Sequence, residues 1–284
     1  GFYNAQSLFQ LFQVGNLYAG YRIVAGKAVS SVRKADCLLL AVLGDSAVNG
    51  LLCQPVFARL VNPKSNKMMA ITVDHAISRG IAPMTGIHDI QGAIDRIVAG
   101  RPDAMTMTKG IQERCWGPHV GSGISVLQKI SNYSPTAPTN DIVFGSVDAA
   151  IRMGADAVSM GAMTLGDFQN EQFERIGEVS DYCDKMGMPL IGHVYPKGES
   201  VPVDKRTAWE NIAYCVRSAC ELGMDVVKTT YTGDPDSMAK VIACVPSSFR
   251  VVIQGGDACK TLDDYLQMTR DAMDCGVKSE AKRS

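Results

Sequence analysis

The chain has 284 residues, 46% hydrophobic and 20% charged, with a formal net charge of −1. That composition fits one large α/β domain or two small ones, and the near-neutral charge gives no reason to expect nucleic acid or an anionic membrane as a partner. The longest apolar run, Cys37 to Gly44, is far too short to span a bilayer, and the nine cysteines stand singly with no C-x-x-C. Buried thiols in a reducing, cytoplasmic compartment are expected, in place of a disulfide framework or a zinc site.

Residues 1–56 read as an N-terminal extension. Ser7 to Val14 has helix-like spacing, with Leu8, Leu11 and Phe12 on one side, and Cys37 to Val42 reads as a short strand or a buried helix turn. Neither stretch carries chemistry, so a docking extension or an oligomer contact is expected. From Phe57 a repeated unit begins. Met68 to Val73 is a strand ending in Asp74-His75, and Ile90 to Ala99 is an amphipathic helix. Ala104 to Thr108 is a strand ending in Lys109-Gly110, and Ser125 to Ser131 is a weaker one. A helix over Ser146 to Met153, with Ser146 as N-cap, leads to a strand over Ala155 to Met160. A long helix over Phe168 to Met186, capped by Gly187, precedes a strand over Leu190 to Val194 that ends at Tyr195-Pro196. The helix Thr207 to Leu222, the strand Asp225 to Tyr231 and the helix Ser237 to Cys244 follow. The strand Arg250 to Gln254 ends at Gly255-Gly256, and Leu262 to Cys275 is the last helix.

This alternation predicts a parallel sheet covered by helices, and seven units in one run favour a (β/α)8 barrel over residues 57–284. No Gly-x-Gly-x-x-Gly follows the first strand, which weighs against a dinucleotide site. The eighth strand is not readable, because Lys278 to Ser284 is too polar for a buried strand. Either a piece of the wall is absent from this chain, or the extension before residue 57 completes it.

Strand ends in such a barrel gather at one mouth. Here they would bring together Asp74, His75, Lys109, Tyr195, Lys197, Lys228 and Gly255-Gly256. A lysine closing an apolar strand is held against its solvation preference, which lowers its pKa and frees the amine that imine chemistry needs. A Gly-Gly turn exposes backbone N–H groups that can cradle a phosphate. The set suits Schiff-base chemistry on a phosphorylated ketone, with a phenol or carboxylate moving the protons. Plainer readings stand beside these. Lys228 could snorkel to water, Asp74 could cap a turn, and Tyr195 could pack a loop. Lys109 could be a loop lysine, and His75 and His193 could be structural. No tight metal-ligand spacing occurs, so neither metal nor cofactor is expected.

The stretch from about Phe57 to Gly276 resembles the archaeal-type class I fructose-bisphosphate aldolases and the related 2-amino-3,7-dideoxy-D-threo-hept-6-ulosonate synthases, in the deoxyribose-phosphate aldolase superfamily. The pieces that carry the resemblance are Phe57 to Pro63, Val73-Asp74-His75, Lys109-Gly110-Ile111, Ala150 to Val158, Gly187 to Ile191, Tyr195-Pro196-Lys197-Gly198, Lys228 to Asp234, and Gly255-Gly256. The resemblance implies that Lys228 forms the Schiff base. It implies that Tyr195 is the acid/base on the substrate hydroxyl, that Asp74 orients or exchanges protons there, and that Gly255 and Gly256 hold a phosphate. His75, Lys109 and Lys197 complete the expected substrate contacts. A homo-oligomer is expected by analogy.

Four departures stand out. The family's His-Gly is His75-Ala76, its Tyr-Pro-Arg-Gly is Tyr-Pro-Lys-Gly, and His193 replaces a tryptophan usual in the aldolases. The strand-eight Gly-Arg-Asn is not found. The expected function is therefore a metal-independent class I aldolase, with fructose 1,6-bisphosphate as first-choice substrate. The alternatives are a related Schiff-base synthase or thiolase on another phosphorylated ketone, or a non-catalytic barrel scaffold.

Overall fold

The computed structural model describes residues 41–43, 58–81, 86–255 and 261–275. The expected helix at Ser7 to Val14 lies outside them. Seven parallel strands form the wall: β2 (Ala70–Thr72), β3 (Ala104–Thr108), β4 (Ser125–Lys129), β7 (Ala157–Met163), β8 (Leu190–Tyr195), β9 (Val226–Thr229) and β10 (Arg250–Ile253). They neighbour one another in chain order, as a barrel requires. The place beside β10 is taken by β1 (Ala41–Leu43), which runs antiparallel with Ala41 opposite Ile253. Three residues of the expected extension thus join the wall.

The helices are α1 (His75–Arg79), α2 (Ile90–Ala99), α3 (Lys109–Cys115), α4 (Val147–Arg152), α5 (Gln169–Met186), α6 (Trp209–Glu221), α7 (Pro235–Ile242) and α8 (Leu262–Asp274). Their ends follow local chemistry. The Ser146 hydroxyl accepts from Ala149 N at 3.2 Å, as the sequence predicts, and Gly187 closes α5 at φ 64°. Asp234 caps α7 with Pro235 in its first turn, and Thr261 and Asp264 form a capping box on α8. Strand alignment has its own device. Asp103, Asp156 and Asp225 each stand just before a strand, and each carboxylate accepts from the backbone of the preceding strand, at Met69, Val126 and Leu190.

Alternation along the strands divides the core in two. Outward residues such as Met105, Val126, Val158, Leu190, Val227 and Val251 pack against helix residues such as Ile94, Ile176, Ile212 and Val216. Inward residues make a second cluster with one member from every parallel strand: Ala70, Ala104, Leu127, Ala157, Ile191, Val226 and Val252, closed from beneath by Leu60, Val61 and Met68. This is an apolar floor. Two residues further along each strand the inward positions are Thr72, Thr106, Lys129, Ser159, His193, Lys228 and Gln254, all polar. The barrel interior therefore turns from apolar to polar within one step.

Between β4 and α4 the chain makes a hairpin, β5 (Ser131–Ser134) and β6 (Ala137–Val143). The sequence reading left this stretch without structure. The loop after β8 is fixed by contact with the loop after β7. Gly198 N donates to Thr164 O at 2.9 Å, and a Cβ on Gly198 would collide with the backbone of Leu165 and Gly166. Backbone cannot yield as a flexible side chain can. Gly198→Ala is therefore expected to cost about 1–3 kcal/mol, read as a lower denaturation midpoint in urea at unchanged slope.

Candidate active site

The polar rung and the strand ends above it enclose a cavity at the carboxyl end of the sheet, lined by Asp74, His75, Lys129, Asp141, His193, Tyr195, Lys197, Lys228 and Gln254 among others. Asp74 follows β2 and immediately precedes α1, and its main-chain oxygen accepts from Asn132 Nδ2 at 3.2 Å. That bond ties the hairpin to the end of β2. His75 Nε2 lies 3.3 Å from Thr72 Oγ1, and its Nδ1 lies 4.0 Å from Asp74 Oδ1. His193 on β8 and Lys228 on β9 are directly opposed in register.

Lys228 is 5% exposed, and its amine is neither hydrogen-bonded nor ion-paired among the described residues. Burial brings its pKa down to about 7, with Lys129, Lys197 and Arg79 adding to the effect and Asp74 opposing it. Asp74 behaves oppositely. Burial works to raise its pKa, but His75, Lys129 and Lys228 outweigh it, so the carboxyl stays ionised below its ordinary value. Burial, with Tyr133, Asp74 and Asp141 nearby, holds Tyr195 well above the usual phenol value. Burial and the cations Lys129, Lys228 and His75 push His193 well below the usual imidazole value, so its ring is neutral. A free amine, a carboxylate, a phenol and a neutral imidazole thus share one chamber. Such a set can form an imine and shuttle protons around it.

The structure brings Asp74, His75, Tyr195, Lys197 and Lys228 to the cavity wall. Lys197 lies over the Tyr195 ring at 5.1 Å and the Tyr133 ring at 5.8 Å, a cation–π arrangement at the mouth. Lys109 is placed elsewhere. Thr108 is the inward residue at the end of β3, so Lys109 begins α3, is exposed and does not line the cavity. Gly255 is buried beside Gln254, and Gly256 lies outside the described residues.

Among the lining residues that the sequence analysis does not single out are Lys129 and Asp141. Lys129 ends β4 after Val126 and Leu127 as Lys228 follows Val226 and Val227, and that shared pattern was the signal for it. Asp141 had none, because its hairpin was not recognised. Among the described residues no group of three His, Cys, Asp or Glu side chains is arranged to hold a metal ion. Nor is any helix there long and apolar enough to cross a membrane. Cys115 and Cys215 are buried thiols, and burial pushes Cys215 up to about 12.

The profile of the DeoC/LacD family aldolases matches residues 68–281. The chain belongs to this family. It is 32% identical over 212 residues to 2-amino-3,7-dideoxy-D-threo-hept-6-ulosonate synthase of Halobacterium salinarum, covering 75% of this chain and 77% of that relative. It is 29% identical over 230 residues to fructose-bisphosphate aldolase class 1 of Thermoproteus tenax, covering 78% and 82%. Among solved structures it is similar to an archaeal fructose-1,6-bisphosphate aldolase whose catalytic Lys is covalently bound to the carbinolamine intermediate. That match has a TM-score of 0.69 at 25% identity and covers 79% of this chain and 88% of the other. This DeoC/LacD member is accordingly an enzyme, a carbon–carbon lyase of the class I, Schiff-base type, on a TIM-barrel-type fold.

Proposed function

We propose that Lys228 is the imine-forming lysine, that Asp74 and Tyr195 move the protons around it, and that the substrate is a phosphorylated ketose, fructose 1,6-bisphosphate first. One observation carries this reading: a buried, unpaired amine with a pKa of about 7 shares a cavity with an ionised carboxylate and a high-pKa phenol. The Lys228 amine adds to the ketone carbonyl, and loss of water leaves a protonated imine. That imine accepts the electron pair of the breaking carbon–carbon bond and becomes an enamine. Tyr195, held as the phenol, gives a proton to the aldehyde oxygen in the bond-forming direction, and in cleavage the hydroxyl proton passes through Tyr195 to the Asp74 carboxylate. The Asp74 carboxylate is the charged acceptor beside it. Arg79 and Lys197 bring two further cations to the cavity, which suits a phosphorylated substrate.

A second reading keeps the mechanism and changes the substrate. The Halobacterium synthase supports it, being at least as similar to this chain as the aldolase of Thermoproteus. The test begins with borohydride. The protein is incubated with dihydroxyacetone phosphate, reduced, digested and mapped by mass spectrometry. An adduct on Lys228 is expected. An adduct on another lysine overturns the assignment, and no adduct removes the fructose-bisphosphate reading. Cleavage of fructose 1,6-bisphosphate then separates the two substrates.

A further inference from the structure

The polar rung of the barrel holds a second lysine that the mechanism above leaves without a task. Lys129 is 2% exposed, lines the cavity, and forms no hydrogen bond or ion pair among the described residues. A buried amine without a partner is costly and adds nothing that an apolar side chain would not supply to packing. Ser159, its partner in register on β7, has a buried hydroxyl without a hydrogen-bond partner, as does Thr106 on β3. In sheet order β7 and β8 separate β4 from β9, so Lys129 faces the interior from a different side than Lys228. Lys129, Asp74, Tyr195 and Lys228 nevertheless line one cavity, and the charge of Lys129 acts on both Asp74 and Lys228.

The hairpin supplies a counter-charge. Asp141 on β6 is 4% exposed and lines the same cavity, with Oδ1 unpartnered. Its carboxyl occupies the hollow left by the missing side chain of Gly161, where a Cβ would collide with it. The Gly161 N–H donates to Ser131 Oγ at 2.7 Å beside it, and burial raises the pKa of the Asp141 carboxyl while Lys129 opposes that rise. The carboxyl is thus packed against β7 within the cavity that Lys129 also lines.

We propose that Lys129 is a second catalytic lysine, whose N–H groups hold the oxygen of the aldehyde half of the substrate, with Asp141 as the residue that positions it. The proposal rests on the Schiff-base role of Lys228. In bond formation the enamine carbon attacks the aldehyde carbon, and the C=O π pair moves onto oxygen. That oxygen takes its proton from the Tyr195 phenol, and the Lys129 protons stay on nitrogen while stabilising the developing charge. Burial lowers the pKa of Lys129, and Asp141 and Asp74 oppose that shift.

The test separates the two halves of the reaction in the full chain. Donor chemistry is read from the borohydride adduct with dihydroxyacetone phosphate and from deuterium exchange into that ketone. Bond formation is read after adding glyceraldehyde 3-phosphate. Read on the alkaline plateau of imine formation, where a change in the Lys228 pKa has no effect, Lys129→Met is expected to keep the donor adduct and exchange within about 3-fold and to lose bond formation by about 100-fold or more. Bond formation within a few-fold of the parent sinks the proposal and leaves Lys228 untouched. Equal loss of exchange also sinks it, because Lys129 would then serve Lys228 and not the aldehyde. A parent protein that traps nothing removes the Schiff-base reading, and this proposal falls with it. Should Lys129→Met not fold, Lys129→Gln is read in the same two assays.

Asp141→Asn adds a readout that packing alone would not move. Asp141 favours the protonated amine, so its loss shifts the alkaline fall of bond formation to lower pH. The charged or titratable groups facing Lys129 are Asp74, Asp141, His193 and Lys228, and only one of them is altered. An unmoved alkaline limb overturns the positioning role of Asp141.

Discussion

Lys228→Met is expected to abolish the borohydride adduct and to lower kcat/KM by about a thousandfold or more, while making the folded protein more stable at neutral pH. The two effects share one cause. A free lysine titrates near 10.4, so at pH 7 only about one in 2,500 is the nucleophilic amine. In the barrel, burial brings Lys228 to about 7, and about half is ready to attack. The sign of the pH dependence follows: imine formation rises as pH climbs through about 7 and levels off above it. Stability moves with the same proton. Between about 7 and the unfolded value near 10.4 the unfolded chain binds a proton that the folded chain does not, so stability increases with pH across that window. Below it the fold carries the full cost of this group. Methionine removes the cost and is expected to raise the melting temperature at pH 7, partly offset because Asp74 loses a neighbouring cation. Turnover within tenfold of the parent refutes the role of Lys228. A melting temperature that falls refutes the account of its strain.

The barrel was legible because its repeat is a hydrophobic one. Strands such as Val226-Val227 and helices such as Ile90–Ala99 announce themselves by period, and Gly187 and Ser146 mark ends by chemistry that is local to the chain. Lys228 was legible for the same reason, as a charge closing an apolar strand. Lys129 followed the same pattern, but Gln128 ahead of it is polar and weakened the strand. Gln128 in fact points out of the barrel interior, where its Nε2 donates to Gln112 Oε1 at 2.7 Å. Polarity there signalled a buried hydrogen bond and not the end of order.

The hairpin was not legible, because Ser131 to Val143 is polar on both faces and gains its order from contacts distant in sequence. Gln172 on α5 joins three of them: its Oε1 accepts from Asp141 N and Met163 N, and its Nε2 donates to Thr139 O. No local propensity foretells such a bond. Lys109 failed in the opposite way. Its place after an apolar strand matched that of Lys228, but parity put Thr108 inside and Lys109 out. A strand-end lysine is a candidate only if the alternation carries it inward, and counting from the apolar floor decides that: Val226 to Lys228 and Leu127 to Lys129 are each two residues, whereas Ala104 to Lys109 is five.

Tyr195→Phe is expected to lower carbon–carbon bond turnover by about 100-fold to 10,000-fold while leaving the Lys228 adduct with dihydroxyacetone phosphate in place. The phenol hydroxyl makes no hydrogen bond among the described residues, so phenylalanine removes one oxygen from the cavity wall and leaves the packing of β8 as it was. Lys197 keeps an aromatic face beneath it. A stability change under about 1 kcal/mol is therefore expected, and a large loss of turnover cannot be charged to folding. The pH profile makes the test sharper. Tyr195 titrates well above 10, so its ionisation lies beyond any alkaline limb seen near neutrality, and the variant should keep the parent's acidic rise through about 7. Loss of the acidic rise would place the proton chemistry of imine formation on Tyr195 itself. Unchanged turnover would move the acid/base role to Asp74, an ionised carboxylate in the same wall. Loss of adduct in step with turnover would mean that the phenol serves the addition of the amine, and the division of labour between Lys228 and Tyr195 would have to be redrawn.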